Sequence, residues 1–175
     1  MVMEKALLEV LKQIKDINYG WSDRFGVVHH HAKIEYFKEN YRTMSFLDIE
    51  KNKVGTCIEQ VFYTQELLKQ KNINSESYII IYNVPSKIAR HTICVVNDND
   101  KYYLMENEWN VNGLKPFNSL DDLLKSVVNR YPRMYKINNF DESLIDIYNY
   151  NDYQEGMSLE EFTNYCRGTK KIELK

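Results

Sequence analysis

Residues 2–17 place apolar side chains at Val2, Ala6, Leu7, Val10, Leu11, Ile14 and Ile17. That spacing lays one stripe along a helix. Asn18-Tyr19-Gly20 ends it, and a loop-like stretch follows to about Ala32, holding Trp21, Gly26 and the run His29-His30-His31. Residues 33–42 read as a short helix or turn with Ile34, Phe37 and Tyr41 on one side. Ser45 followed by Asp48 is a capping pattern and predicts a short helix over 46–53. After Val54-Gly55-Thr56 the pattern predicts a helix from Cys57 to Lys71, apolar at Ile58, Val61, Phe62, Leu67 and Leu68. Asn72 or Asn74 closes it.

The pattern then changes period. Ser77 to Tyr82 is β-branched and aromatic, which predicts a strand. His91 to Val96 reads as a second strand and Lys101 to about Glu108 as a third, joined by the turn Asn97-Asp98-Asn99-Asp100 into a hairpin. Ser119 with Asp122 opens a helix to about Arg130, with Leu120, Leu123, Leu124, Val127 and Val128 inward. Residues 133–138 and 144–150 read as two further strands. Ser158 with Glu161 caps a last helix through Cys166, ended by Gly168, and the tail from Lys170 reads as a short strand. No repeat, linker or low-complexity segment interrupts the order. The expectation is one α+β domain over residues 1–175, with antiparallel pairing in its middle.

Composition narrows the function classes. The 175 residues are 43% hydrophobic and 27% charged, enough for a core without disulfide or metal staples. A net charge of −2 supplies no global field for nucleic acid or an acidic membrane, so neither is expected as a partner. Charges at Glu4, Lys5, Glu9, Lys12, Lys15 and Asp16 break any export signal or membrane span. Cys57, Cys94 and Cys166 are odd in number and at no metal spacing, which points to reduced thiols in the cytoplasm. Contiguous histidines rarely converge on one ion, so His29 to His31 read as a solvated loop and no metal is expected. No phosphate loop, dinucleotide fingerprint or zinc-knuckle spacing calls for a cofactor. The 14 tyrosines fit the codon usage of an AT-rich genome. The sequence leaves the oligomeric state open.

Cys57 sits where a helix is expected to begin, just after Gly55. Unpaired N–H groups and the helix dipole there stabilise a thiolate and can bind a developing oxyanion. A thiol nucleophile needs a base, and the base needs an orienting partner. His91 is the one histidine outside the 29–31 run, and it opens a strand. With a four-residue hairpin loop, Asn97 to Asp100, His91 faces Glu106; with a two-residue loop, Asn99-Asp100, it faces Glu108. Side-chain alternation keeps both glutamates on one face. Cys94 alternates away from His91 and reads as core, as does Cys166 late in the last helix.

Three segments carry a resemblance: Val54-Gly55-Thr56-Cys57-Ile58-Glu59-Gln60-Val61, His91-Thr92-Ile93, and Tyr102-Tyr103-Leu104-Met105-Glu106-Asn107-Glu108-Trp109. Together they resemble the transglutaminase-like domain of bacterial proteins, a relative of the papain-like thiol fold. Tyr19-Gly20-Trp21 and Leu159-Glu160-Glu161-Phe162 through Cys166 resemble one bacterial subgroup of it. The resemblance implies a nucleophile-bearing helix packed on an antiparallel β-sheet with flanking helices. It implies Cys57 as nucleophile, His91 as base and Glu106 as the orienting acid, with Trp109 following; the usual family acid is Asp. It also implies a side chain that helps the Cys57 N–H bind an oxyanion, for which Gln60 and Trp21 are the candidates, with Glu108 and Trp109 near the substrate. The activity implied is acyl transfer through a thioester, to water (peptidase or amidase) or to an amine, on a peptide or protein substrate. The alternative is an inactive domain that binds a peptide or protein in the same cleft.

Overall fold

The computed structural model describes residues 2–31, 33–84, 87–106, 110 and 113–174. The chain opens with α1 (Val2–Ile14), β1 (Asn18–Tyr19), β2 (Trp21–Asp23), β3 (Val28–His29), α2 (Ile34–Asn40), β4 (Tyr41–Arg42), α3 (Phe46–Asn52) and β5 (Val54–Gly55). Then follow α4 (Cys57–Gln70), β6 (Glu76–Val84), β7 (Lys87–Asp98), β8 (Lys101–Leu104) and β9 (Pro116–Phe117). The last third holds α5 (Leu120–Val128), α6 (Tyr131–Tyr135), a 3-10 turn at Glu142–Leu144, β10 (Ile145–Tyr150), α7 (Leu159–Arg167) and β11 (Lys170–Ile172). It is a mixed α+β chain.

The centre is a six-stranded sheet in the order β11-β10-β6-β7-β8-β9. Every neighbouring pair is antiparallel. Alternation along β6 and β7 sends two apolar sets to opposite faces. Tyr78, Ile80 and Tyr82 join Ile93 and Val95 in a core closed by Leu123, Leu124, Val127 and Val128 of α5 and Tyr131 of α6. Ile79, Ile81, Cys94 and Val96 face the other way, into a core completed by α1, α4 and α7. Burial on both faces explains why β6 reads as an unbroken apolar run and not as an alternating one.

The hairpin expected between β7 and β8 turns through two residues. Asn99 and Asp100 both have positive φ, 50° and 61°, as a tight turn matched to strand twist requires. The register is therefore Asp98↔Lys101 and Val95↔Leu104. The third strand is shorter than expected: β8 stops at Leu104.

Two expectations are corrected. Residues 18–32 carry β1, β2 and β3, where a loop was expected. These pairings are two or three residues long, too short to leave a periodic signature. Residues 133–138 do not form a strand; Tyr131–Tyr135 is a helix ended by Lys136 in the left-handed region. Pro132 suits the first turn of that helix, and the buried Tyr131 hydroxyl donates to the Ile80 carbonyl at 2.6 Å, fixing α6 on the sheet. The β9 pairing at Pro116–Phe117 has no sequence signal of its own.

Cys94 and Cys166 are fully buried, as expected, and burial pushes both thiols up to about 12. Cys57 is half-buried, and all three cysteines are free. Among the described residues, no helix is long and apolar enough to cross a membrane.

Leu124 is 0% exposed between α5 and the sheet. Leu124→Ala leaves a cavity there and is expected to lower stability by about 2–5 kcal/mol, read as a shift of the urea midpoint at unchanged slope.

Candidate active site

The nucleophile's position is set by its neighbours. Thr56 caps α4: its hydroxyl accepts from Ile58 N–H at 3.2 Å. The Glu59 carboxylate accepts from Thr56 N–H at 2.8 Å and from its hydroxyl at 2.5 Å, closing a capping box. The Thr-x-x-Glu spacing was present in the sequence as this signal, unused in the reading above. Tyr41, itself 0% exposed, donates to the other Glu59 oxygen at 2.5 Å. Burial pushes the Glu59 carboxyl up, the Thr56 and Tyr41 donors pull it back, and the net direction is upward. Gly55 must be glycine for this packing, because a Cβ would lie 2.8 Å from the Glu59 Cβ. Cys57 is thereby held as the first residue of α4, with an N–H that has no acceptor inside the helix.

α4 packs on β7, and there the sulfur meets His91. The early end of β8 makes room. Met105 N–H still donates to Cys94 O at 2.9 Å. Beyond it the chain turns, with the Asn110 amide donating to Leu104 O at 2.7 Å and Glu106 O at 2.8 Å. β8 does not extend to the stretch of β7 that holds Thr92, and Thr92 lies beside the Cys57 sulfur and lowers the thiol.

The structure brings Cys57, His91 and Glu106 together. His91 is 8% exposed, and its Nε2 lies 2.7 Å from Glu106 Oε1. The contact is short but off the N–H line, so Nε2 lacks a well-aligned acceptor; it acts as charge pairing more than as a linear hydrogen bond. With Nε2 committed to Glu106, Nδ1 is left for the thiol. The two-residue hairpin is the register that points His91 toward residue 108. Glu106 reaches it because the strand has already ended. Glu108 and Trp109 lie outside the described residues.

The electrostatics favour a charged pair. Burial pushes the Cys57 thiol up, but the His91 hydrogen bond and charge, with the Thr92 hydroxyl and N–H, outweigh it and lower the thiol below its ordinary value. Burial pushes His91 down, and its contacts with Cys57 and Glu106 outweigh that and raise it well above the usual range. Both shifts favour the thiolate–imidazolium form over the neutral pair.

A cleft of about 510 Å³ opens onto the pair, lined by Lys15, Tyr19, Gln60, Arg90, Met134 and Tyr135 among others. Gln60 is in this wall as expected, donating one amide hydrogen to Gly55 O at 3.2 Å. Its second hydrogen is uncommitted among the described contacts. Trp21 is elsewhere: it is 4% exposed and stacks on His29, ring centroids 4.5 Å apart. It anchors the β2–β4 region and does not line the cleft. His29 contacts the buried Asp23 carboxylate at 2.8 Å, and His30 approaches Tyr19 O at 3.4 Å. Among the described residues no group of three or more potential metal ligands forms. Sequence reasoning missed Lys15, Arg90 and Tyr135, which topology alone brings to the site.

No protein-family model matches the chain, and no curated protein matches it.

The lowered thiol gives a testable sign. Alkylation of Cys57 by iodoacetamide is expected to persist below the pH at which an ordinary thiol, near 8.5, stops reacting, and to fall only as pH drops through the depressed pKa. His91→Gln removes the favourable charge but keeps the burial, so the inflection should move up. Identical inflections in the two proteins would remove His91 as the cause.

Proposed function

We propose that the protein catalyses cysteine-dependent acyl transfer, most simply hydrolysis of a peptide or amide bond. The observation that supports this is the pairing of a helix-start thiol with His91 and Glu106 at the floor of an open cleft. A helix-borne thiol against an antiparallel sheet that carries the histidine is also what a transglutaminase-like domain requires.

The thiolate adds to the substrate carbonyl, and the oxyanion takes a hydrogen bond from Cys57 N–H, with the free Gln60 amide hydrogen as the second donor. His91 gives its proton to the leaving amine as the C–N bond breaks, leaving a thioester on Cys57. Neutral His91 then takes a proton from water as hydroxide adds to the thioester, and the intermediate collapses to release the acid and the Cys57 thiolate, restoring the imidazolium. Glu106 stabilises the imidazolium in both halves. Polar side chains in the cleft wall, Lys15, Asn18 and Gln60, admit water, which favours hydrolysis over transfer to an amine. The competing reading is a binding module; the off-line Glu106 contact is the one feature on its side.

The direct test uses p-nitrophenyl acetate. A burst of nitrophenol equal to the protein concentration, with an acetyl group mapped to Cys57, is expected. Cys57→Ala should abolish the burst and His91→Ala should slow it by about 100- to 10,000-fold. A Cys57 that is never acetylated, or an unaffected His91→Ala burst, would leave the binding reading.

Glu106→Gln removes a charge that raises His91. The basic limb of the pH–rate profile, where the imidazolium loses its proton, is therefore expected to move to lower pH. An unmoved limb would show that Glu106 does not hold the proton on His91.

A further inference from the structure

Two hollows meet at Cys57. The polar cleft is one. The other, about 190 Å³, is lined mostly by apolar side chains, Phe37, Ile58, Ile79, Ala89 and Leu159 among them. Tyr19, Cys57, Arg90 and Tyr135 border both.

Among the described residues, Arg90 stands at this junction without a counter-ion. Its Nε is buried and has no acceptor. The charges that act on it from neighbouring elements are Arg167 and Glu160, one like and one opposite. Arg167 is turned to the Asn83 side-chain oxygen at 3.0 Å. Glu106, the one carboxylate of the cleft wall among the described residues, is held by His91. A buried guanidinium donor left unpaired is costly, and the usual resolution is an acceptor supplied from outside the chain. The backbone at Arg90 is fixed, because its carbonyl accepts from the Tyr135 hydroxyl at 2.5 Å. With Lys15 also in the wall, and the thiolate and imidazolium cancelling, the cations Lys15 and Arg90 outnumber Glu106.

We propose that Arg90 is a specificity-determining residue that grips a carboxylate beside the scissile bond, while an adjacent apolar side chain of the substrate fills the smaller hollow. The substrate class is thus an acyl donor, peptide or amide, carrying a carboxylate and a small aliphatic group. This rests on the acyl-transfer reading above.

The test compares alkylation of Cys57 by iodoacetate and iodoacetamide. Both form the S–C bond with loss of iodide, and they differ in charge. Arg90→Gln is expected to lower the iodoacetate-to-iodoacetamide rate ratio by roughly tenfold, and Arg90→Lys by much less. An unchanged ratio in Arg90→Gln overturns the proposal. Failure of the acyl-transfer reading appears differently, as slow iodoacetamide reaction of the unaltered protein below neutral pH. Should Arg90→Gln not fold, the unaltered protein decides. The α-amide of N-acetyl-glutamate should protect Cys57 from iodoacetamide at a concentration roughly tenfold below that needed with the α-amide of N-acetyl-glutamine. Equal protection by the two overturns the proposal.

Discussion

The uncovered edge of β7 is the constraint from which the site follows. A strand edge leaves N–H groups that need acceptors. β8 covers β7 from Asp98 back to Val95 and then stops. Beyond the Met105 N–H that reaches Cys94 O, the Cys57 sulfur lies beside Thr92. The thiol fits because α4 begins against this edge, and α4 begins there because Thr56 and Glu59 close a buried capping box with Tyr41 behind it. A β8 three residues longer would reach the position opposite Thr92, bury the edge and exclude Cys57. The length of one short strand therefore decides whether a nucleophile meets a base.

The charge state of the pair reflects two opposed influences, burial and mutual attraction. Burial alone keeps Cys57 a thiol and His91 a neutral imidazole, and it is the largest single influence on each. Mutual attraction of the charged forms overcomes it, helped by Thr92 beside the sulfur and Glu106 beside the imidazole. Cys94 shows the outcome without them. It lies two residues along the same strand, fully buried, and burial drives its thiol up to about 12. The helix terminus contributes to thiolate stability, but neighbouring charge separates a reactive cysteine from an inert one here.

How much of this was legible in the sequence follows from the range of each signal. The caps at Ser45, Ser119 and Ser158 and the apolar stripe of α1 are local patterns, and they placed their helices within a few residues. The β7–β8 hairpin is also local, and its Asn99-Asp100 turn was one of two loops considered. The strand's end at Leu104 was not readable, since the turn after it is fixed by Asn110 reaching back to Leu104 and Glu106. Glu106 contacts His91, but not through the four-residue loop register that would have set it opposite. Tyr131–Tyr135 misled because aromatic residues favour strands on average, whereas the Tyr131 hydroxyl needs the Ile80 carbonyl, a contact no window of sequence contains. Trp21 misled for a similar reason: only the paired β2 and β3 show that its ring belongs to His29.

Glutamate at position 106 is consistent with the same strand length. From a chain that has left the ladder, a short acid would have to span the gap to Nε2 with one methylene fewer. Glu106 closes it to 2.7 Å, at the cost of alignment. Coulomb attraction depends on distance and weakly on angle, while a hydrogen bond weakens steeply off line. A long acid at this position therefore keeps most of the charge stabilisation of the imidazolium and gives up part of the orientation of the ring. Orientation must then come from elsewhere, and the burial of the His91 side chain supplies it. The trade leaves proton affinity under Glu106 and ring position under packing, two properties that a shorter, aligned acid would have governed together.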